Sequence, residues 1–94
     1  MLIACIEGEA VLNRANGSLL GLAVGDAVGM NLEFQLRDSG DPLTDMEGGG
    51  PFSLTPGYWT DDTSMALCLG ESLLDLGRFD AQNVMEIFQR WYRG

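Results

Sequence analysis

Residues 58–63 have the sequence YWTDDT, and a helical pattern of apolar residues begins directly behind them, over residues 64–76. The adjacent carboxylates of Asp61 and Asp62 repel each other, and a divalent cation offsets such repulsion well. Hard cations such as Mg²⁺ prefer oxygen ligands, which carboxylates and hydroxyls supply. The stretch therefore predicts metal ligands at Thr60, Asp61 and Asp62, and a metal site in turn indicates an enzyme.

The same stretch has a plainer interpretation as the beginning of a helix. Threonine and aspartate are favoured just before a helix, because their side-chain oxygens accept hydrogen bonds from free backbone N–H groups. Acidic residues in the first turn also suit the helix dipole. Consecutive side chains point in different directions there, so Asp61 and Asp62 can each face a different cation while the helix is also capped. The residues alone leave both interpretations open.

The composition excludes several classes of protein. The chain has 94 residues, enough for one domain near the lower limit of independent folding. Its 14 acidic and five basic residues give a net charge of −9. A nucleic-acid-binding protein needs a basic surface to neutralise phosphates, and an anionic membrane surface would repel this chain. We therefore expect no nucleic-acid partner and no membrane partner.

Histidine is missing from the sequence, which excludes Ser-His-Asp catalysis, Cys-His catalysis and histidine zinc sites within this chain. The two cysteines, Cys5 and Cys68, are too few and too far apart for a zinc motif. With no disulfide framework and a poor signal peptide, the sequence favours a reducing cytoplasm. The apolar residues 18–25 are too few to span a membrane.

Three helical patterns account for most of the chain, so we expect an all-α fold. The first helix is predicted over about residues 9–29, where glycine recurs every fourth residue from position 17. Such a row predicts a closely packed neighbouring helix or a ligand. The second helix is predicted from near Asp62 to Leu76, ending at Gly77. The third follows Asp80, which is suited to cap it.

Residues 31–58 show no sustained period and indicate a long loop, which is uncommon in a compact domain unless it is functional. Glu33 lies in this loop, either as a solvated acid or as a carboxylate that borders the metal site. Asp26, among small apolar residues, is either exposed or hydrogen-bonded inward, where it would support a ligand. Residues 48–50, GGG, indicate either a flexible loop or a weak phosphate cradle.

Two segments together resemble a known family. Residues 17–29, GSLLGLAVGDAVG, followed by Glu33-Phe34, are similar to the opening helix of the ADP-ribosylglycohydrolases. Residues 48–52, GGGPF, and 56–67, PGYWTDDTSMAL, resemble that family's first metal motif. The resemblance extends over nearly the whole chain from about residue 12. The family includes the enzymes similar to dinitrogenase reductase-activating glycohydrolase.

The resemblance implies an orthogonal all-α helical bundle. Residues 1–94 would form its N-terminal part, a single partial domain with 1–8 outside the core. It also implies that Thr60, Asp61 and Asp62 are the first-half ligands of a site for two Mg²⁺ or Mn²⁺ ions. Glu33 matches a glutamate near the metals that acts in catalysis or in substrate entry. Glu33 and Asp61 are the candidate catalytic residues.

The implied reaction is hydrolysis at C1″ of ADP-ribose, most often from a modified arginine of a protein, or from a small ADP-ribose conjugate. The family's second metal motif, an Asp-x-Asp-Thr/Ser run, has no counterpart in these residues. We therefore expect a truncated member with low or no activity alone. The alternative is a non-catalytic helical fragment that docks onto a partner, onto the rest of the fold or onto a second copy through apolar helix faces.

Overall fold

The computed structural model describes the backbone of residues 2–94 and the side chains of residues 7–94. Three α-helices form the described chain: α1 (Leu2–Gly29), α2 (Asp61–Leu76) and α3 (Ala81–Arg93). A short 3₁₀ turn, Met30–Leu32, extends α1. Over residues 2–94 the backbone forms no strand, only an isolated bridge between Gly49 and Leu54. The predicted all-α class is confirmed.

The predicted boundaries of α2 and the predicted start of α3 agree with the structure within one residue. Helix α1 begins earlier than expected, at Leu2 rather than near Glu9. Cys5 and most of the segment expected outside the core fall among residues whose side chains lie outside the described part. No helix in the described residues is long and apolar enough to cross a membrane.

Helices α2 and α3 form an antiparallel pair whose turn is set by local signals. Gly77 adopts the left-handed conformation, at φ 66°, and its N–H donates to the Leu73 carbonyl at 2.9 Å. The Asp80 carboxylate accepts from the Asn83 N–H at 3.0 Å and so caps α3. Between the helices, the fully buried Ser72 hydroxyl donates to Asn83 Oδ1 at 2.6 Å. Both helix ends are therefore fixed as the sequence predicts.

The core is small and lies along one side of α2. Its buried apolar members come from all three helical segments and are Ala27, Met30, Cys68, Val84 and Ile87. Cys68 is thus a buried small residue, as expected from its place in the apolar pattern of α2. Helix α1 reaches this core only with its last turn and the 3₁₀ turn beyond it.

Most of α1 projects away from the core. The Cα radius of gyration is 16.9 Å, against about 13 Å for a compact domain of 100 residues. Leu12 and Leu20, both on this helix, are each 64% exposed. Apart from the adjacent residues and the nearby backbone of α1 itself, no atom of the described chain lies within 4 Å of a Cβ built at Gly17, Gly21, Gly25 or Gly29. The described residues place no neighbouring helix along the glycine row, and the close approach of a helix or a ligand there stays a prediction.

The loop between α1 and α2 is anchored at its glycines. A Cβ built at Gly50, which has φ +69°, would lie 2.6 Å from the Asn31 Cα and 2.9 Å from the Met30 carbonyl oxygen. Gly49 exchanges hydrogen bonds with Leu54 at 2.7 and 3.0 Å, so its N–H already has a partner inside the loop. The triple glycine therefore serves a tight turn packed on the end of α1.

We expect Gly50→Ala to lower the free energy of unfolding by about 1–3 kcal/mol, because the added methyl meets rigid backbone at a positive φ. Urea unfolding followed by circular dichroism measures the change. Gly40→Ala is the control, since nothing lies within 4 Å of a Cβ at Gly40. If Gly50→Ala were as stable as the parent protein, the loop would not pack on α1 in this way.

Candidate active site at the start of helix α2

The carboxylate of Asp26, near the C-terminal end of α1, lies against the first turn of α2. Its Oδ1 accepts a hydrogen bond from the Thr60 hydroxyl at 2.6 Å. Its Oδ2 accepts from the Thr60 N–H at 2.9 Å, the Thr63 N–H at 3.1 Å and the Thr63 hydroxyl at 2.7 Å. Four hydrogen bonds therefore join two helices whose contacting residues are more than 30 positions apart in the sequence.

This contact supplies the cap of α2. Thr60 occupies the N-cap position, but its side chain makes no capping hydrogen bond. Instead, Asp26 accepts from the backbone N–H groups of Thr60 and Thr63, two of the groups that a helix start leaves without intrahelical partners. The N-cap interpretation of this stretch is right about the position of Thr60 and wrong about the capping group. Of the two interpretations of Asp26, the inward hydrogen-bonded one is confirmed.

The same hydrogen bonds keep Asp26 ionised. Partial burial alone would raise the pKa of its carboxyl group, but the hydrogen bonds from Thr60 and Thr63 together outweigh that effect and hold the pKa below the ordinary value. Thr60 and Thr63 are themselves buried, with 9% and 2% of their surface exposed. A negative charge at the N-terminus of α2 also interacts favourably with the helix dipole.

An open cleft of about 440 Å³ lies beside this contact. Three glycines of α1 line one side, where the lack of side chains leaves room for a ligand's close approach. The acidic groups at the cleft are Asp26, Glu33 and Asp62. The residues that line it are Gly21, Leu22, Gly25, Asp26, Gly29, Met30, Glu33 and Asp62.

The structure brings some of the predicted site residues together. Glu33, half-buried just behind the 3₁₀ turn, and Asp62, exposed in the first turn of α2, line the same cleft. Thr60 does not line the cleft, but it is buried and hydrogen-bonded to Asp26, which does. Asp61 is exposed at the helix start and, among the described residues, does not belong to the lining of this cleft. Consecutive side chains thus point in different directions, as expected at a helix start.

The oxygen donors at the cleft have the chemistry that a hard divalent cation prefers. Within the described residues no arginine forms an ion pair with Glu33, Asp61 or Asp62, so their charges have no cationic partner there. However, no group of three or more Asp, Glu, Cys or His side chains converges within this part of the chain. The residues fit Mg²⁺ in the type of donor and supply only part of a ligand set.

Sequence reasoning missed Thr63, which bonds Asp26 through both its N–H and its hydroxyl. A signal was available. A helix start leaves four N–H groups without partners, and a second threonine three residues after Thr60 lies where such groups meet a capping acid. The acid itself could not be chosen from local sequence, because it comes from another helix.

Comparison with known proteins supports the assignment to a family. The family model described as ADP-ribosylglycohydrolase matches residues 7–94. The chain is 55% identical over 91 residues to the ADP-ribosylarginine hydrolase Tri1 of Pseudomonas putida (strain GB-1), covering 96% of this chain and 24% of that protein. It is 57% identical over 87 residues to the protein of the same name from Serratia proteamaculans (strain 568), covering 93% of this chain and 23% of that protein.

A more distant relative and a solved structure agree. The ADP-ribosyl-[dinitrogen reductase] glycohydrolase of Rhodospirillum rubrum is 42% identical over 92 residues, which are 94% of this chain and 31% of that protein. A solved chain titled ADP-ribosylglycohydrolase-related protein complex superposes with a TM-score of 0.76 at 53% identity, covering 82% of this chain and 27% of that one.

The helical architecture and these similarities define the class: the chain belongs to the ADP-ribosylglycohydrolase family. Its fold is the N-terminal part of that family's helical domain. The chain spans about a quarter of the length of the curated relatives it matches.

Proposed function

We propose that this chain supplies the first part of the active site of a Mg²⁺-dependent hydrolase, which removes ADP-ribose from modified proteins, with arginine as the modified residue. The observation that carries the proposal is the cleft at which Glu33 and Asp62 meet beside the buried Thr60. Two relatives whose names include ADP-ribosylarginine support the arginine linkage.

The electrostatics of the cleft support a cation. ADP-ribose carries a diphosphate, and a cleft lined by three acidic residues in a chain of net charge −9 repels an anionic ligand. A divalent ion, Mg²⁺ or Mn²⁺, between the carboxylates and the substrate would remove that repulsion. Thr60, Asp61 and Asp62 are the proposed ligands, with Asp61 and Asp62 facing different ions of a pair.

The chain's own residues then have distinct tasks. Glu33 borders the cleft with a carboxylate that can accept a proton from an attacking water, or that controls entry of the substrate. Asp61, which does not line this cleft, is proposed to take part in catalysis through the ion that it binds. The glycine side of the cleft admits the ribose closely, since no side chain lies at Gly21, Gly25 or Gly29. Bound Mg²⁺ would orient the ribose hydroxyls, polarise the leaving group and supply a bound water.

A complete site needs ligands in addition to these. Two-metal sites need more donors than one hydroxyl and two carboxylates, and the described residues bring no three acidic groups together. We propose that the remaining ligands come from a part of the fold that the 94 residues do not contain. The reacting groups of a catalytic site must also be held within about half an ångström of their productive positions, and an open cleft does not hold them so closely.

The proposed ligands can be tested in the full-length protein by Asp61→Ala and Asp62→Ala. We expect each change to weaken Mn²⁺ binding by about tenfold or more, since each removes a carboxylate donor, and to reduce release of ADP-ribose from ADP-ribosyl-arginine. Calorimetric titration with Mn²⁺ and a product assay give the two values. Asp75→Ala, which removes an exposed acid at the other end of α2, is the matched control. Unchanged Mn²⁺ affinity in both ligand variants would refute the metal site.

A second candidate function is a non-catalytic helical piece that docks onto a partner chain, onto a second copy or onto the rest of the fold. The exposed apolar faces favour it. Met85 and Tyr92 on α3 are 61% and 84% exposed, and an open groove of about 680 Å³ lies between α3 and Met65 of α2. Contiguous apolar surface of this kind is typical of interaction sites.

The two candidates differ in what the 94-residue chain does alone. The hydrolase proposal predicts weak Mg²⁺ binding and little or no hydrolysis of ADP-ribosyl-arginine. The docking candidate predicts self-association or a partner-dependent fold in sedimentation experiments. Robust hydrolysis by the 94 residues alone would contradict the proposal that ligands are missing. A well-folded monomer that needs no partner would contradict docking.

A further inference from the structure

The hydroxyl of Thr60 has an unusual role for a residue at the N-cap position. A threonine there ordinarily uses its oxygen to accept a hydrogen bond from the backbone N–H three residues on. In this chain that N–H belongs to Thr63 and donates to Asp26 Oδ2 at 3.1 Å instead. The Thr60 oxygen is therefore released from capping α2.

The Thr60 hydroxyl is also restricted to one orientation. An ionised carboxylate only accepts hydrogen bonds, so the 2.6 Å contact to Asp26 Oδ1 must use the Thr60 hydrogen. The Thr60 oxygen then keeps its lone pairs for another group. A hydroxyl that binds a metal ion does so through a lone pair, and its hydrogen needs an acceptor elsewhere. Asp26 is that acceptor. Thr60 is only 9% exposed, so its side chain is held in place by its surroundings.

Asp26 itself has little capacity left for a cation. A carboxylate offers about four lone-pair positions. Oδ2 accepts three hydrogen bonds from Thr60 and Thr63, which use both of its lone pairs, whereas Oδ1 accepts one and keeps one lone pair. Although Asp26 lines the cleft, most of its lone pairs bind the start of α2, whereas the carboxylates of Glu33 and Asp62 make no hydrogen bond or ion pair among the described residues.

We propose that Asp26 is a positioning residue for the metal site. It holds the Thr60 hydroxyl as a lone-pair ligand and fixes the first turn of α2, from which Asp61 and Asp62 project. The inference rests on the proposed function, because it assumes that a divalent cation binds beside Thr60. It assigns Asp26 no contact with the cation.

The test is Asp26→Asn in the full-length protein, with Mn²⁺ as the probe and its binding followed by electron paramagnetic resonance. An amide has one acceptor oxygen and an NH₂ donor, so at least one threonine hydroxyl must turn around and accept. We expect Mn²⁺ affinity to fall by about tenfold or more, the usual effect of removing a group that orients a metal ligand. Unchanged affinity in a folded Asp26→Asn protein would overturn the inference.

Asp80→Asn is the matched control for a purely structural effect. Asp80 caps α3 by accepting from the Asn83 N–H at 3.0 Å, as Asp26 caps α2, but it does not line the cleft. We expect Asp80→Asn to lower the melting temperature and to leave Mn²⁺ affinity unchanged. If both variants weakened Mn²⁺ binding in proportion to their loss of stability, Asp26 would be a structural residue only, which overturns the proposal.

A double-mutant cycle tests whether Asp26 acts through Thr60. Thr60→Val removes the hydroxyl and keeps the shape of the side chain. If Asp26 positions that hydroxyl, Asp26→Asn should weaken Mn²⁺ binding much less in the Thr60→Val background than in the parent protein. Fully additive effects would overturn the proposed route through Thr60.

Further variants keep the outcome clear. Should Asp26→Asn not fold, Thr63→Val removes one of the four hydrogen bonds without changing the carboxylate or Thr60. A few-fold loss of Mn²⁺ affinity in Thr63→Val supports the proposal, and no loss overturns it. Asp61→Ala and Asp62→Ala separate the two claims. If both leave Mn²⁺ affinity unchanged, the proposed metal site fails. If they weaken Mn²⁺ binding and Asp26→Asn does not, only the positioning role fails.

Discussion

The carboxylate of Asp26 connects the two parts of this chain on which the candidate site depends. It lies near the end of α1, accepts hydrogen bonds from Thr60 and Thr63, and so determines where α2 begins relative to α1. Hydrogen bonds to a charged group contribute more than neutral ones, and leaving the buried partners unsatisfied would cost more still. The Asp26 contact therefore fixes the position of the end of the long loop relative to α1.

This arrangement separates acidic groups that look alike in the sequence. Asp26 accepts four hydrogen bonds, which hold its pKa below the ordinary value against the effect of partial burial. Glu33 and Asp62 face the same cleft with no cation beside them in the described residues. One acid therefore builds the site, and the others remain available to a ligand. Like charges that line one cleft without a cation repel each other, which is the physical reason to propose that Mg²⁺ binds there.

Much of the fold was predictable because its signals are local. Gly77 and Asp80 mark the turn between α2 and α3, and the structure confirms both. The bond from Asp26 to Thr63 was not predictable from one sequence, since it joins residues 37 positions apart. The row of glycines on α1 is visible in the sequence, but what approaches it is not among the described residues. The metal ligands at Thr60, Asp61 and Asp62 stay predictions.

The central claim is that Asp26 organises the start of α2 for a cation that it does not itself bind. Anomalous diffraction from crystals of the full-length protein grown with Mn²⁺ tests this most directly. The account predicts a peak at bonding distance from the Thr60 hydroxyl and the Asp62 carboxylate, with Asp26 still accepting from Thr60 and Thr63. A peak bonded to Asp26, or no peak beside Asp62, would contradict it.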